Sequence, residues 1–224
     1  MHLAKKQTEL SWSSGSSPIV LSEIFSKTTS VAIWERDFNL QISKYFDRTF
    51  ASMGLGIKGV FPLVSLKDEL SKMLPEEEGK KTAVDDIYLL SDMLTCLFDC
   101  DTVGLRLAPL KSAMCPSFHI DNIPVRLVNT YLGTGTDWLP LESLQKEVLQ
   151  KEALHKFPNG KEAKLSKTNF GMYYDKDHVQ QMNTFDVGLL KGKAWQQQEQ
   201  MAAVHRSCQL QKNEKRVLLT LDPM

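Results

Sequence analysis

The chain has 224 residues, 42% hydrophobic and 24% charged, a balance that suits one folded domain with one sizeable core. Lysine plus arginine and aspartate plus glutamate both number 27, so the formal net charge is zero and neither nucleic acid nor an anionic membrane is expected as a partner. No apolar run is long enough for a signal or a membrane span, which predicts a cytoplasmic protein. Its four cysteines, Cys96, Cys100, Cys115 and Cys208, are then expected as thiols or metal ligands rather than disulfides.

The first half reads as helical. Residues 11–17 are a Ser/Gly-rich lead-in, and Ser17-Pro18 is a helix start. Residues 31–34 form a short apolar run of the kind found in buried strands. Ile42, Tyr45, Phe46, Thr49, Phe50 and Met53 recur at three- and four-residue steps and predict an amphipathic helix that stops at Gly54. A second helix is expected over 65–74, opened by Ser65 with Asp68 and closed before Pro75. After a charged loop over 76–81, Thr82 with Asp85 opens a third, whose apolar face is Val84, Ile87, Tyr88, Leu94, Leu97 and Phe98.

Beyond Asp101 the texture changes to short apolar runs over 103–110, 113–118 and 125–132, separated by Pro, Asn and Gly, which predict strands and turns. Gly133-Thr134-Gly135-Thr136 lacks the Gly-Lys-Ser/Thr of a phosphate loop and reads as a turn. Residues 141–183 are a long polar insertion with an amphipathic helix over 141–154, either a solvated surface or a lid. Strands resume at 187–190 and 216–221. Helices first and strands afterwards give an α+β chain, expected as a single domain 1–224 with 1–101 as mainly helical support and 102–224 as a β core.

The chemistry centres on His119-Ile120-Asp121. Alternate residues of a strand share a face, so the imidazole and the carboxylate both reach one ion, and His205 supplies a third ligand if the strands fold back. Two histidines and one carboxylate leave coordination positions open, the arrangement of non-haem Fe(II) oxygenases. A rival set pairs Cys115 with His119 and Cys208 with His205, two thiolates and two imidazoles suited to zinc. The blandest reading makes His119 a core histidine and Asp121 a turn residue before Asn122 and Pro124. Trp138 and Trp195 read as pocket lining or as ordinary packing.

Phe118-His-Ile-Asp121, the run 125–132, the run 186–192, His205 and the run 216–221 together resemble the Fe(II)/2-oxoglutarate-dependent oxygenase superfamily, in its prolyl-hydroxylase-like layout. More narrowly, Cys115-Pro116 through Leu139 with His205-Arg206-Ser207 resembles an uncharacterised bacterial domain-of-unknown-function family (1826). The resemblance implies a double-stranded β-helix of the jelly-roll or cupin-like kind in the C-terminal half, backed by the N-terminal helices. It implies Fe(II) on His119, Asp121 and His205, with 2-oxoglutarate held by Arg216 and a hydroxyl from Tyr131. Arg216 is followed by Val217 and Leu218 rather than the Arg-x-Ser of many relatives, so Arg126 or Arg206 are alternatives for the cosubstrate carboxylate. The implied activity is hydroxylation or demethylation of a small-molecule or protein substrate, with no catalytic residue beyond the metal ligands. The alternative is a non-catalytic metal-binding protein of the same fold that handles zinc or another metal.

Overall fold

The structure, a computed structural model, describes residues 10–145, 165–195 and 201–224. The chain opens with β1 (Trp12–Gly15), a 3-10 helix (Pro18–Phe25) and β2 (Val31–Trp34). Then come α1 (Leu40–Thr49), β3 (Ile57–Pro62), α2 (Leu63–Met73) and α3 (Lys80–Phe98). The remainder is β-structure: β4 (Thr102–Leu110), β5 (Val125–Leu132), β6 (Asp137–Leu139), β7 (Leu165–Lys167) and β8 (Tyr173–Asp175). It ends with β9 (Gln180–Gln181), β10 (Val187–Lys191), β11 (Val204–Arg206) and β12 (Arg216–Pro223).

A seven-stranded sheet has the order β1-β2-β10-β5-β12-β4-β3, antiparallel at every pairing except β1 with β2. A smaller sheet, β11-β6-β9, is extended past β11 by an isolated bridge between His119 and His205. From β4 onward the chain shuttles between the two. β4, β5, β10 and β12 lie in the large sheet, whereas His119, β6, β9 and β11 lie in the small one. Strands that alternate in this way make a double-stranded β-helix, so the fold is α+β with a jelly-roll core.

Alternation along β5 shows how the layers separate. Val125, Leu127 and Tyr131 enter a core shared with Ile42, Tyr45 and Phe46 of α1 and Ile87, Leu90 and Leu94 of α3. Val128 instead joins Val31, Ile33, Trp138, Met182, Leu190 and Ala203 in a separate cluster between the sheets. An irregularity opposite Val217 and Leu218 shifts the register near the end of β5.

The helices form where their apolar faces recur, but their starts differ from the pattern. α1 is capped by Asn39, whose side chain accepts from the Ile42 N–H. α2 starts at Leu63 rather than Ser65, because Pro62 occupies the cap with its fixed φ and the Ser65 hydroxyl turns back to the Pro62 carbonyl. α3 starts at Lys80 from Gly79, whose φ of 94° suits only glycine, so Thr82 lies inside the first turn.

Two expectations about organisation need correction. The first half is more than helical support, because β1, β2 and β3 form both edges of the large sheet. Residues 113–118 form no strand; Pro116 lacks the donor a ladder needs, and apart from the Ser207 N–H donated to the Cys115 carbonyl the pairing starts at His119. The helix expected over 141–154 falls largely outside the described residues, which retain only a 3-10 turn over Leu141–Ser143. The described rest of that insertion carries the β7–β8 hairpin and β9, which pairs with β6. Among the described residues, no helix is long and apolar enough to cross a membrane.

Candidate metal centre

His119 and His205 face each other across the small sheet. The His119 N–H donates to the His205 carbonyl at 2.9 Å, and the His205 N–H returns the bond at 3.1 Å. Residues so paired project on the same side, which sets the imidazole centroids 4.5 Å apart. Asp121, two residues after His119, joins them. Its Oδ1 lies 3.6 Å from His119 Nε2 and its Oδ2 3.6 Å from His205 Nε2. One ligand atom from each residue falls within 4.8 Å of the others, close enough to share an ion.

Backbone carbonyls decide the tautomers. His119 Nδ1 lies 3.1 Å from the Ser117 oxygen, and His205 Nδ1 lies 3.2 Å from the Ala203 oxygen. A carbonyl only accepts, so each Nδ1 carries the hydrogen and each Nε2 presents a lone pair toward Asp121. Burial pushes His205 down to about 4, which keeps it neutral at pH 7 as a ligand must be. The Asp121 carboxylate beside its Nε2 favours the protonated form of His119 and raises its pKa. Burial by itself would raise the Asp121 carboxyl, but His119, His205 and Arg126 outweigh it and hold the group at about 2. Two neutral-capable imidazoles and one ionised carboxylate on one side of a sheet suit a first-row divalent metal.

Around this cluster, Arg126 of β5 donates from Nη1 to Asp121 Oδ2 at 2.8 Å. Its Nε and Nη2 grip both oxygens of Asp222 on β12, at 2.8 and 2.7 Å.

Arg216, which opens β12, is only 1% exposed. Its Nη2 donates to Thr130 Oγ1 at 3.1 Å and to Thr136 Oγ1 at 2.9 Å, both neutral hydroxyls. Its Nε has no partner among the described residues, and burial lowers its pKa from the usual guanidinium value. The nearest acids are engaged elsewhere. Asp137 takes Arg206 and Gln181, while Glu214 takes the Thr134 hydroxyl and the Gln211 N–H. Thr136 precedes by two residues Trp138, the cross-strand partner of His205. The guanidinium thus contacts a residue two positions along the chain from the one that pairs with His205.

Other residues singled out from the sequence lie elsewhere. Tyr131 points to the opposite face of β5, where its hydroxyl donates to Asp86 Oδ2 at 2.8 Å and its ring stacks on Phe46. It offers the interior no hydroxyl; Thr130 and Thr136 do. Strand alternation carries a signal for Thr130, which shares a face with Arg126 and Val128, but none for Thr136, whose short strand has no clear pattern in the sequence. Arg206 lies on the outer face of the small sheet, its guanidinium 4.4 Å from the Phe118 ring centre. Trp138 packs between the sheets, and Trp195 packs against Phe25 and Phe98 on the helical side.

The two-thiolate zinc set is not assembled. Cys115 is exposed, and the buried Cys208 thiol donates to the Thr134 carbonyl at 3.2 Å. Among the described residues the metal-competent cluster contains His119, Asp121 and His205 and no cysteine.

Fold and site define a double-stranded β-helix that carries a two-histidine, one-carboxylate cluster inside the barrel. The chain belongs to the family described as "Protein of unknown function (DUF1826)", which matches residues 15–222. No curated protein compared with it matches. Solved structures similar to this chain include a Pseudomonas putida prolyl-4-hydroxylase, at 10% identity over 91% of this chain and 95% of that one, with a TM-score of 0.46. A dioxygenase for auxin oxidation from rice matches at 8% identity over 96% and 83% of the two chains, with a TM-score of 0.48. HygX from Streptomyces hygroscopicus, with nickel and 2-oxoglutarate bound, matches at 11% identity over 92% and 85%, with a TM-score of 0.45.

Proposed function

We propose that this protein is a non-haem Fe(II)/2-oxoglutarate-dependent oxygenase of the hydroxylase or demethylase type. The observation that carries the reading is the pairing, inside one barrel, of an open-sided His119/Asp121/His205 cluster with a buried Arg216 whose only hydrogen-bond partners among the described residues are neutral hydroxyls. A buried cation without an acid is costly, and an anionic ligand relieves that cost. Iron with 2-oxoglutarate and dioxygen would supply an oxidant able to break a C–H bond.

The chain's own residues bind and orient. His119, His205 and Asp121 would hold the metal, and three protein ligands would leave further positions for the cosubstrate and dioxygen. Arg216 receives the distal carboxylate of the cosubstrate, and the hydroxyls of Thr130 and Thr136, which accept from its Nη2, keep protons of their own to donate. Val128, Trp138 and Met182 keep the space between the sheets dry, so the charge pairing acts in a low dielectric.

The test is an anaerobic titration of the Fe(II)-loaded protein with 2-oxoglutarate, read by the visible charge-transfer band of the chelate. The band is expected in the wild type, absent in Asp121→Ala and weaker in Arg216→Ala. Fe(II) bound without any band on addition of 2-oxoglutarate overturns the reading.

A further inference from the structure

Asp121 has two oxygens, so a metal at the cluster gains one ligand or two from it, depending on how the carboxylate is turned. The side chain that governs this is Arg126. Its Nη1–H lies on Asp121 Oδ2 at 2.8 Å, and its opposite edge is locked onto Asp222 at 2.8 and 2.7 Å. A guanidinium gripped at two points has its plane fixed, and with it the direction of the remaining N–H groups. The anchor is tied into the sheet, because Asp222 lies on β12 in register with Gly104 of β4. Two carboxylates already flank this one cation, which leaves its two-point edge unavailable to a cosubstrate. Arg126 is thus a poor candidate for the cosubstrate carboxylate and well placed for another task.

The task follows from counting positions on an octahedral ion. Two histidines and one carboxylate oxygen occupy three, a chelating 2-oxo acid takes two more, and one stays open. If both oxygens of Asp121 coordinate, none stays open. We propose that Arg126, anchored by Asp222, is a positioning residue that restricts Asp121 to one-oxygen ligation and so preserves the position the chelate leaves free. The inference rests on the oxygenase reading for its purpose, but not for its geometry. Partial burial strengthens the restraint: the Arg126, Asp121 and Asp222 side chains are 27, 16 and 25% exposed, so water competes weakly for their hydrogen bonds.

Mn(II) as a probe separates the two claims, because water-proton relaxation of the Mn(II)-loaded protein counts exchangeable waters on the metal. Arg126→Gln is expected to carry one water fewer than the wild type and to bind 2-oxoglutarate about tenfold more weakly or worse. Asp222→Asn, which leaves Arg126 in place but loosens its anchor, should fall between the two. Thermal midpoints of both variants show whether each is folded, and a purely structural role moves those midpoints without changing the water count. Wild-type water count and 2-oxoglutarate affinity in folded Arg126→Gln, or in Asp222→Asn should the first variant not fold, overturn the inference. A wild type indifferent to 2-oxoglutarate sinks the oxygenase reading instead, while the water count of the variants still decides the role of Arg126.

Discussion

Two arginines, Arg36 partly buried and Arg216 fully buried, stand on opposite faces of the large sheet and are treated differently. On the helical face, Arg36 makes a two-pronged ion pair with Asp86 of α3, and Asp86 also accepts the Tyr131 hydroxyl. The Arg36 guanidinium lies over the Trp34 ring as well, 4.9 Å from its centre. On the inner face, Arg216 is more deeply buried, yet it contacts only two hydroxyls and leaves Nε unmatched among the described residues. The surroundings follow the same division. Leu105, Leu107, Leu127, Leu189, Leu219 and Leu221 fill the helical core, whereas Arg126, Thr130, Arg216 and Asp222 carry hydrogen bonds on the inner side. The polar groups of the Arg36, Asp86 and Tyr131 network on the stability side match one another, although the buried Asn129 Oδ1 beside them has no partner among the described residues. Those on the ligand side are held ready with a donor to spare, which costs stability and is retained where a bound anion completes the set.

The largest effect expected from this contrast is at Asp86. Asp86→Ala strands the partly buried Arg36 guanidinium and the buried Tyr131 hydroxyl together, and should cost about 3 kcal/mol of unfolding free energy. Urea denaturation measures it. Metal affinity of the folded variant should be unchanged, because the whole network lies on the helical side of the sheet. A loss well under about 1 kcal/mol would put Arg36 and Asp86 in the class of weak surface pairs and remove one side of the comparison.

Arg216 should behave in the opposite way. Arg216→Met removes a buried cation that has no acid and replaces it with an apolar chain of similar length. The expected result is unchanged stability or a gain of about 1–2 kcal/mol. Affinity of the metal-loaded protein for 2-oxoglutarate should fall at least tenfold in the same variant. A destabilisation of several kcal/mol, with 2-oxoglutarate affinity intact, would make Arg216 a structural residue like Arg36.

The sequence shows the inner-face chemistry where residues are close in the chain and hides it where the fold brings them together. His119 and Asp121 are legible because period-two spacing needs no tertiary information. β10 and β12 are legible because strands buried on both faces appear as continuous apolar runs, and β4 and β5 because their apolar residues recur at strand spacing. β6 and β11, three residues each, are too short to show a period, although β11 carries His205 and β6 follows Thr136 directly. The Asp222–Arg126 grip joins residues 96 apart, and no local pattern encodes it. Tyr131 shows the converse limit. The resemblance drew attention to its hydroxyl, but alternation from Val125 and Leu127 puts Tyr131 on the helical face, where Asp86 takes the hydroxyl across the core.

A third buried cation gives the smallest effect and the finest test. Lys191 of β10 is 1% exposed, donates from Nζ to the Ser26 carbonyl at 2.7 Å and lies over the Trp195 ring, with no acid among those partners. It therefore sits on the helical side without the ionic match that Arg36 enjoys. Burial lowers its pKa from 10.5 to about 8, below that of the unfolded chain. Between those values the unfolded chain holds more protons, so this group's contribution to stability improves as pH rises from about 8 toward 10.5 and is least favourable below 8. The stability advantage of Lys191→Met over the wild type should accordingly shrink across that window, in thermal or urea unfolding measured at several pH values. Parallel curves would mean that Lys191 stays charged when folded and that the helical face tolerates an unmatched cation after all. A converging pair would complete the contrast: a lysine without an acid escapes the penalty by releasing its proton, an option closed to Arg216, whose guanidinium stays charged and goes without an acid until an anion arrives.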